Sequence, residues 1–129
     1  SEVSELEIEY CSVREYIQDV FTSPFAVYDD DKSGTIHIIV QTPGLQSKED
    51  LEINIGDDDC EVTITCKLQT ISISGTVVVN TLPRENPLKI NLRLPKKIDD
   101  QTKVKAKVVN GMTTITFKTK IISRRLLIE

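Results

Sequence analysis

The sequence predicts an all-β fold, an antiparallel sandwich or barrel, on three observations. From residue 25 onward apolar residues recur with a period of two. Turn residues interrupt them roughly every 8 to 12 positions. No helical stretch lies between the strands to make a parallel crossover.

The first 23 residues stand apart from that pattern. Val3, Leu6, Tyr10, Val13, Ile17 and Val20 recur at spacings of three and four, which draws one apolar stripe along a helix. Glu5, Glu7, Glu9, Arg14, Glu15 and Asp19 fill the gaps. Ser23-Pro24 ends the helix, because the residue before a proline is pushed out of helical dihedrals. The stripe has two possible partners, the chain's own sheet or a second chain. The elements after it read in order as strands. PFAVYDDD (24–31) runs into an acidic turn closed by Ser33-Gly34, and TIHIIVQT (35–42) stops at Pro43-Gly44. LEINIG (51–56) and CEVTITCKL (60–68) are joined by the turn residues at 56–59. ISISGTVVVN (71–80) is a further strand interrupted by Gly75. LKINLRLP (88–95) alternates cleanly: Leu88, Ile90, Leu92 and Leu94 face one side, while Lys89, Asn91 and Arg93 face the other. In TKVKAKVV (102–109) Val104, Ala106 and Val108 oppose Lys103, Lys105 and Lys107, a solvated row that also guards an edge. Asn110-Gly111 is the strongest hairpin signal and leads into MTTITFKTK (112–120).

Composition bounds the function classes. A chain of 129 residues is one domain, and at this size it buries roughly two thirds of its unfolded surface without a metal or disulfide staple. A net charge of −4 leaves no basic face for nucleic acid. No apolar run approaches the roughly 18 residues that cross a bilayer. The acidic start, SEVSELEIEY, does not read as a secretory or transit signal, so the expected location is cytoplasmic. Neither nucleic acid nor membrane is expected as a partner. Cys60 and Cys66 lie on one extended strand roughly 20 Å apart, beyond disulfide reach. With Cys11, the three are read as small buried or half-buried thiols in a reducing compartment.

No residue pattern carries catalysis. The lone histidine, His37, sits between Ile36 and Ile38 as a packing residue, and a nucleophile needs a base and an orienting group. Asp29, Asp30 and Asp31, and Asp57, Asp58 and Asp59, form solvated acidic turns without the spacing of a calcium loop. With one histidine and no CxxC, no metal is expected, and the five scattered glycines build no phosphate cradle. The reading is therefore no enzyme and no cofactor, with function residing in surfaces. After Lys120 the chain ends in IISRRLLIE, where Leu126 and Ile128 project from one side when extended. This end either packs on its own domain or docks on a neighbour.

The order of elements resembles the small heat-shock protein family, built on the alpha-crystallin domain, over about residues 24–129. PFAVYDDD, TIHIIVQTPGL with its Pro-Gly turn, LKINLRLPKKID, KAKVVNGMTTITFK and the terminal LLIE are each similar to a segment of that family, in the same order. The resemblance implies an immunoglobulin-like β-sandwich at 24–120, flanked by a helical arm at 1–23 and a C-terminal tail at 121–129. It implies an ATP-independent chaperone, a holdase for unfolding client proteins. Dimers would form by exchange of a loop-borne strand (Ile71, Ile73, Val77, Val79) onto the partner's first domain strand (Ala26, Tyr28). Larger homo-oligomers would follow when Leu126 and Ile128 enter a neighbour's groove lined by Leu51, Ile53, Ile55, Val104, Ala106 and Val108. Val13, Ile17, Val20 and Phe21 would bind clients. A monomeric co-chaperone-type interaction module on the same sandwich is the alternative. The chain departs from the family pattern at Met112-Thr113, where Val-Leu is usual. Ile90 stands in place of an ion-pairing arginine, and Leu126 in place of the usual isoleucine.

Overall fold

The computed structural model describes residues 2–12, 24–69, 71–82 and 87–127, with backbone alone for 2–6 and 122–127. Nine strands follow in order: β1 (Glu2–Ile8), β2 (Phe25–Asp30), β3 (Thr35–Gln41), β4 (Leu51–Ile55), β5 (Glu61–Cys66), β6 (Leu88–Arg93), β7 (Lys105–Val109), β8 (Met112–Lys118) and β9 (Ile121–Leu127). A short 3-10 turn at Lys48–Asp50 precedes β4. One sheet has the order β2-β3-β8-β7, the second β4-β5-β6, and β1 with β9 forms a separate two-stranded ribbon. All pairings are antiparallel.

The period-two pattern builds the core directly. In the first sheet Val27, Ile38, Ile115 and Ala106 fall in one cross-strand row. In the second, Ile53, Ile64 and Ile90 do the same. Ile36, Ile38, Val40, Ile64, Ile90 and Ile115 are completely buried. Branched side chains suit such rows because they pack across a pleated surface with little rotamer freedom to lose. Asn110 and Gly111, both at positive φ (51° and 75°), turn β7 into β8. That is the two-residue turn whose twist matches the flanking strands.

Two local readings are corrected here. Glu2–Ile8 is a strand, not the first turns of a helix. Val13, Ile17, Val20 and Phe21, the rest of the predicted stripe, lie outside the described residues. The helical spacing in 3–10 coexists with an alternation, Glu5, Glu7 and Glu9 against Leu6, Ile8 and Tyr10, that suits a strand equally. Backbone pairing decides between them: Lys97 N–H donates to Glu9 O, and Cys11 N–H donates to Pro95 O, both at 2.8 Å. Such long-range bonds override a weak local periodicity. The second correction concerns ISISGTVVVN, which forms no strand in the single chain.

Thr113 replaces an expected aliphatic without loss. It is fully buried, and its Oγ1 lies 2.7 Å from Thr42 Oγ1, which in turn donates to Gly111 O at 3.3 Å. Ile90 likewise packs opposite Ile64, where an arginine would be stranded in the core. Ile90→Ala is therefore expected to cost about 2–5 kcal/mol in a denaturant unfolding titration. Thr113→Val should cost under about 1.5 kcal/mol, because Thr42 keeps Gly111 O as acceptor.

Candidate functional site

Three regions of the chain are candidates for contact with other molecules: a cleft, an exposed segment and the C-terminal strand. The first is a cleft between the edge strands β4 and β7. Leu51 and Ile53 of β4, with Val104 and Ala106, line an open cleft of about 650 Å³, which Lys48, Glu49, Lys103 and Lys105 also line. Four of the six predicted groove residues thus meet in one cleft. Ile55 and Val108 do not line it; they pack against the core further along the same strands. The lysine row on β7 points outward as expected, with Ala106 and Val108 half-buried between exposed Lys105, Lys107 and Val109.

The second surface is the segment 71–82. Ile71, Ile73, Val77, Val78, Val79 and Leu82 are all between 72% and 91% exposed. Six large aliphatics in one stretch of twelve residues are far more apolar surface than a monomer ordinarily leaves in water. The predicted acceptor, β2, ends the first sheet, and no described strand pairs with its outer edge. Tyr28 is exposed there and Ala26 half-buried. Sequence reading named four of the six arm aliphatics. Val78 and Leu82 break the alternation and were missed.

The third surface is the C-terminal strand. Ile121–Leu127 is not a free tail; it pairs antiparallel with β1, with Leu126 opposite Val3 and Arg124 opposite Glu5. Ile128 lies outside the described residues. The segment that follows β1 crosses the second sheet. Arg93, predicted to face water, is only 7% exposed because residues 9–12 cover it. Its Nε donates to Ser12 O at 3.2 Å and its Nη2 to Ser12 Oγ at 2.7 Å. Its Nη1 meets Asp58 and Glu61 at 3.2 and 3.1 Å. The Cys60 N–H, and after it Arg93, hold the Asp58 carboxyl below its ordinary range. Its contribution is therefore present above the usual carboxylate pKa and fades as pH falls through the lower folded value.

The acidic turns are solvated as expected, with Asp29, Asp31, Asp57 and Asp58 exposed, and four of their six carboxylates also pair with cations. Lys96, 3% exposed, reaches Asp29 at 3.0 Å and also Asp31, and its ammonium lies 5.9 Å from the Tyr10 ring centre. Hydrogen bonding to Asp31 first, then Asp29, raises its pKa against the opposing pull of burial. Because the folded value is raised, this contribution is present below the unfolded lysine pKa and lost as pH rises through the folded one. Nothing in the local spelling KKIDD distinguishes Lys96 from a surface lysine.

His37 is half-buried on β3 with Nδ1 2.9 Å from Thr116 Oγ1 and Nε2 3.1 Å from Thr35 Oγ1. Among the described residues no group of three His, Cys, Asp or Glu side chains is arranged to hold a metal ion, and no helix is long and apolar enough to cross a membrane. The cysteines require a correction. Cys11 and Cys60 form a disulfide, with Cα atoms 5.8 Å apart. The extended course of residues 9–12 brings Cys11 beside the start of β5, which a helix over 1–23 would not. Cys66 is a free thiol, fully buried as expected.

Two packed sheets, an exposed aliphatic arm and an apolar cleft between edge strands set the frame for comparison with known proteins. A family model described as "Hsp20/alpha crystallin family" matches residues 28–125. The chain belongs to the Hsp20/alpha crystallin family. Among solved structures, this small heat shock protein is similar to a point mutant of hsp14.1 from Sulfolobus solfatataricus P2, with TM-score 0.60 and 19% identity over 77% of this chain and 72% of that one. The Del-C4 mutant of the same protein gives TM-score 0.64 and 22% identity over 77% and 76%. Heat shock protein 16.0 from Schizosaccharomyces pombe gives TM-score 0.58 and 20% identity over 81% and 78%. At these identities the likeness speaks for the alpha-crystallin sandwich itself. No curated protein matches the sequence.

Burial pushes the Cys66 thiol up to about 11, which leaves almost no thiolate near neutral pH. Iodoacetamide is expected to leave Cys66 unmodified in the folded protein and to label it after denaturation, with peptide mass spectrometry as the readout.

Proposed function

We propose that this small heat shock protein is an ATP-independent holdase that keeps unfolding proteins from aggregating and assembles through exchanged arms and docked tails. The observation that carries this reading is the arm at 71–82, whose six aliphatics have no cover within the described chain. A second copy supplies the matching element: the outer edge of β2, around Ala26 and Tyr28. Pairing there would satisfy backbone groups on both strands and remove apolar surface from water.

Leu126 and Ile128 would then join dimers by entering the cleft between β4 and β7 of another subunit. Two docked aliphatic side chains gain roughly 1.5–3 kcal/mol each. Ordering four or five tail residues costs about 1–2 kcal/mol apiece, offset in part by backbone hydrogen bonds along a sheet edge. A single tail is therefore a weak link, whereas many on one particle act together through effective concentration. Such links let subunits exchange, which suits a protein that must uncover apolar surface for clients. Val13, Ile17, Val20 and Phe21 are the proposed client-binding residues, on their sequence pattern. Unfolding proteins and further copies of this chain are the proposed partners, in the cytoplasm, with neither nucleic acid nor membrane involved and no catalysis.

A monomeric interaction module on the same sandwich is the reading favoured by the pairing of β9 with β1, since that pairing closes the chain on itself. Mass by light scattering separates the two. The holdase reading expects particles above dimer size, reduced to dimers on removal of residues 124–129 and to monomers by Ile73→Asp with Val79→Asp. It also expects suppressed aggregation of a heated model client. A monomer at micromolar concentration that leaves the client unprotected would overturn it.

A further inference from the structure

The tail segment that the proposed assembly uses is already engaged, along its whole described length, by the chain's own N-terminus. Seven residue pairs, from Glu2↔Leu127 to Ile8↔Ile121, define this ribbon, and it belongs to neither sheet of the sandwich. A two-stranded ribbon alone is at best marginal in water. Its persistence therefore depends on what anchors its two ends. The β9 end is secured, because β9 follows directly from β8 and Thr119 bridges to Ile98. The β1 end has no such continuity. It is held by residues 9–12, through hydrogen bonds of Glu9, Cys11 and Ser12 to Lys97, Pro95, Lys120 and Arg93, and by one covalent link, Cys11–Cys60. Cys11 sits three residues beyond the last residue of β1, so the disulfide keeps that strand beside β9 at high effective concentration.

We propose that Cys11–Cys60 is a redox site that sets whether the C-terminal strand is held by its own N-terminus or released to other copies. Oxidised, the ribbon stays closed and Leu126 remains paired along β1. Reduced, β1 separates and residues 121–127 become free to dock. The second half of this statement rests on the tail-docking reading above; the first half does not. Cys60 is 2% exposed, whereas Cys11 is only half-buried, so attack comes at the Cys11 sulfur. A small dithiol serves as reductant. Its thiolate bonds to Cys11 Sγ, the Cys11–Cys60 bond breaks, and Cys60 leaves as a thiolate that takes up a proton. The second thiol of the reductant then closes on the first, expelling the Cys11 thiolate, which is protonated in turn. The protein gains two electrons and two protons, and the reductant departs as a cyclic disulfide. Cys66, buried in the core, takes no part.

The test is amide hydrogen exchange on the full chain, oxidised and after treatment with dithiothreitol, alongside Cys11→Ser. Exchange in residues 2–8 and 121–127 is expected to rise by about tenfold or more on reduction, with protection in β3 and β8 unchanged. Cys11→Ser should match the reduced protein under both conditions. Equal exchange in both redox states would overturn the proposal, and so would a loss of protection spread evenly through the sandwich. Particle mass, measured on the same samples, reads the docking step separately. An increase on reduction supports both halves. An opened ribbon with unchanged mass sustains the redox site and removes the tail-docking reading.

Discussion

The fold rests on two rows of aliphatic side chains packed face to face: Val27, Ile38, Ile115 and Ala106 from one sheet, and Ile53, Ile64 and Ile90 from the other. Ile38, Ile115, Ile64 and Ile90 are sealed, while Val27, Ala106 and Ile53, on β2, β7 and β4, are only half-buried. Covering those edges needs further strands, and the described chain supplies none beside β2, β4 or β7. Two of the candidate surfaces follow from this. The cleft between β4 and β7 is the gap where the two rows run out, and β2 is the open flank of the larger sheet.

An open edge is ordinarily a hazard, because unpaired backbone groups recruit other chains indiscriminately. Here the hazard is channelled by position. Lysines 103, 105 and 107 flank the apolar residues of β7, which places charge beside the apolar floor of the cleft. The arm at 71–82 has the opposite character. It is uncharged along 71–82, rich in branched residues and detached from its own sandwich. A segment of that kind has high strand propensity and pairs with no described strand of its own chain.

The N-terminal segment links these edges to a covalent bond. Residues 9–12 lie across Arg93 and Lys96, two cations that would otherwise be exposed, and exchange their hydration for Ser12, Asp58, Glu61, Asp29 and Asp31. Such pairs add little net stability, because lost hydration offsets the attraction, but removing one partner would strand a buried cation. Their arrangement here anchors the chain just after β1 ends, beside β9.

The amino-acid sequence by itself determined the sandwich. Period-two burial in 35–42, 88–95 and 112–120, with turn residues at 43–44 and 110–111, leaves no other way to hide those aliphatics, since a shift by one residue would turn each row to water. The shared facing of Leu51, Ile53 and Ile55, and of Val104, Ala106 and Val108, is local information too, but that they line a groove came from the family resemblance, and four of the six do so. Only the tertiary structure decided the rest. Whether residues 2–8 coil or extend, whether Arg93 meets solvent, and whether Cys11 finds Cys60 all turn on partners more than forty residues away. No local periodicity encodes such pairings: they arise when a marginal segment takes up backbone hydrogen bonds that a finished sheet leaves on offer.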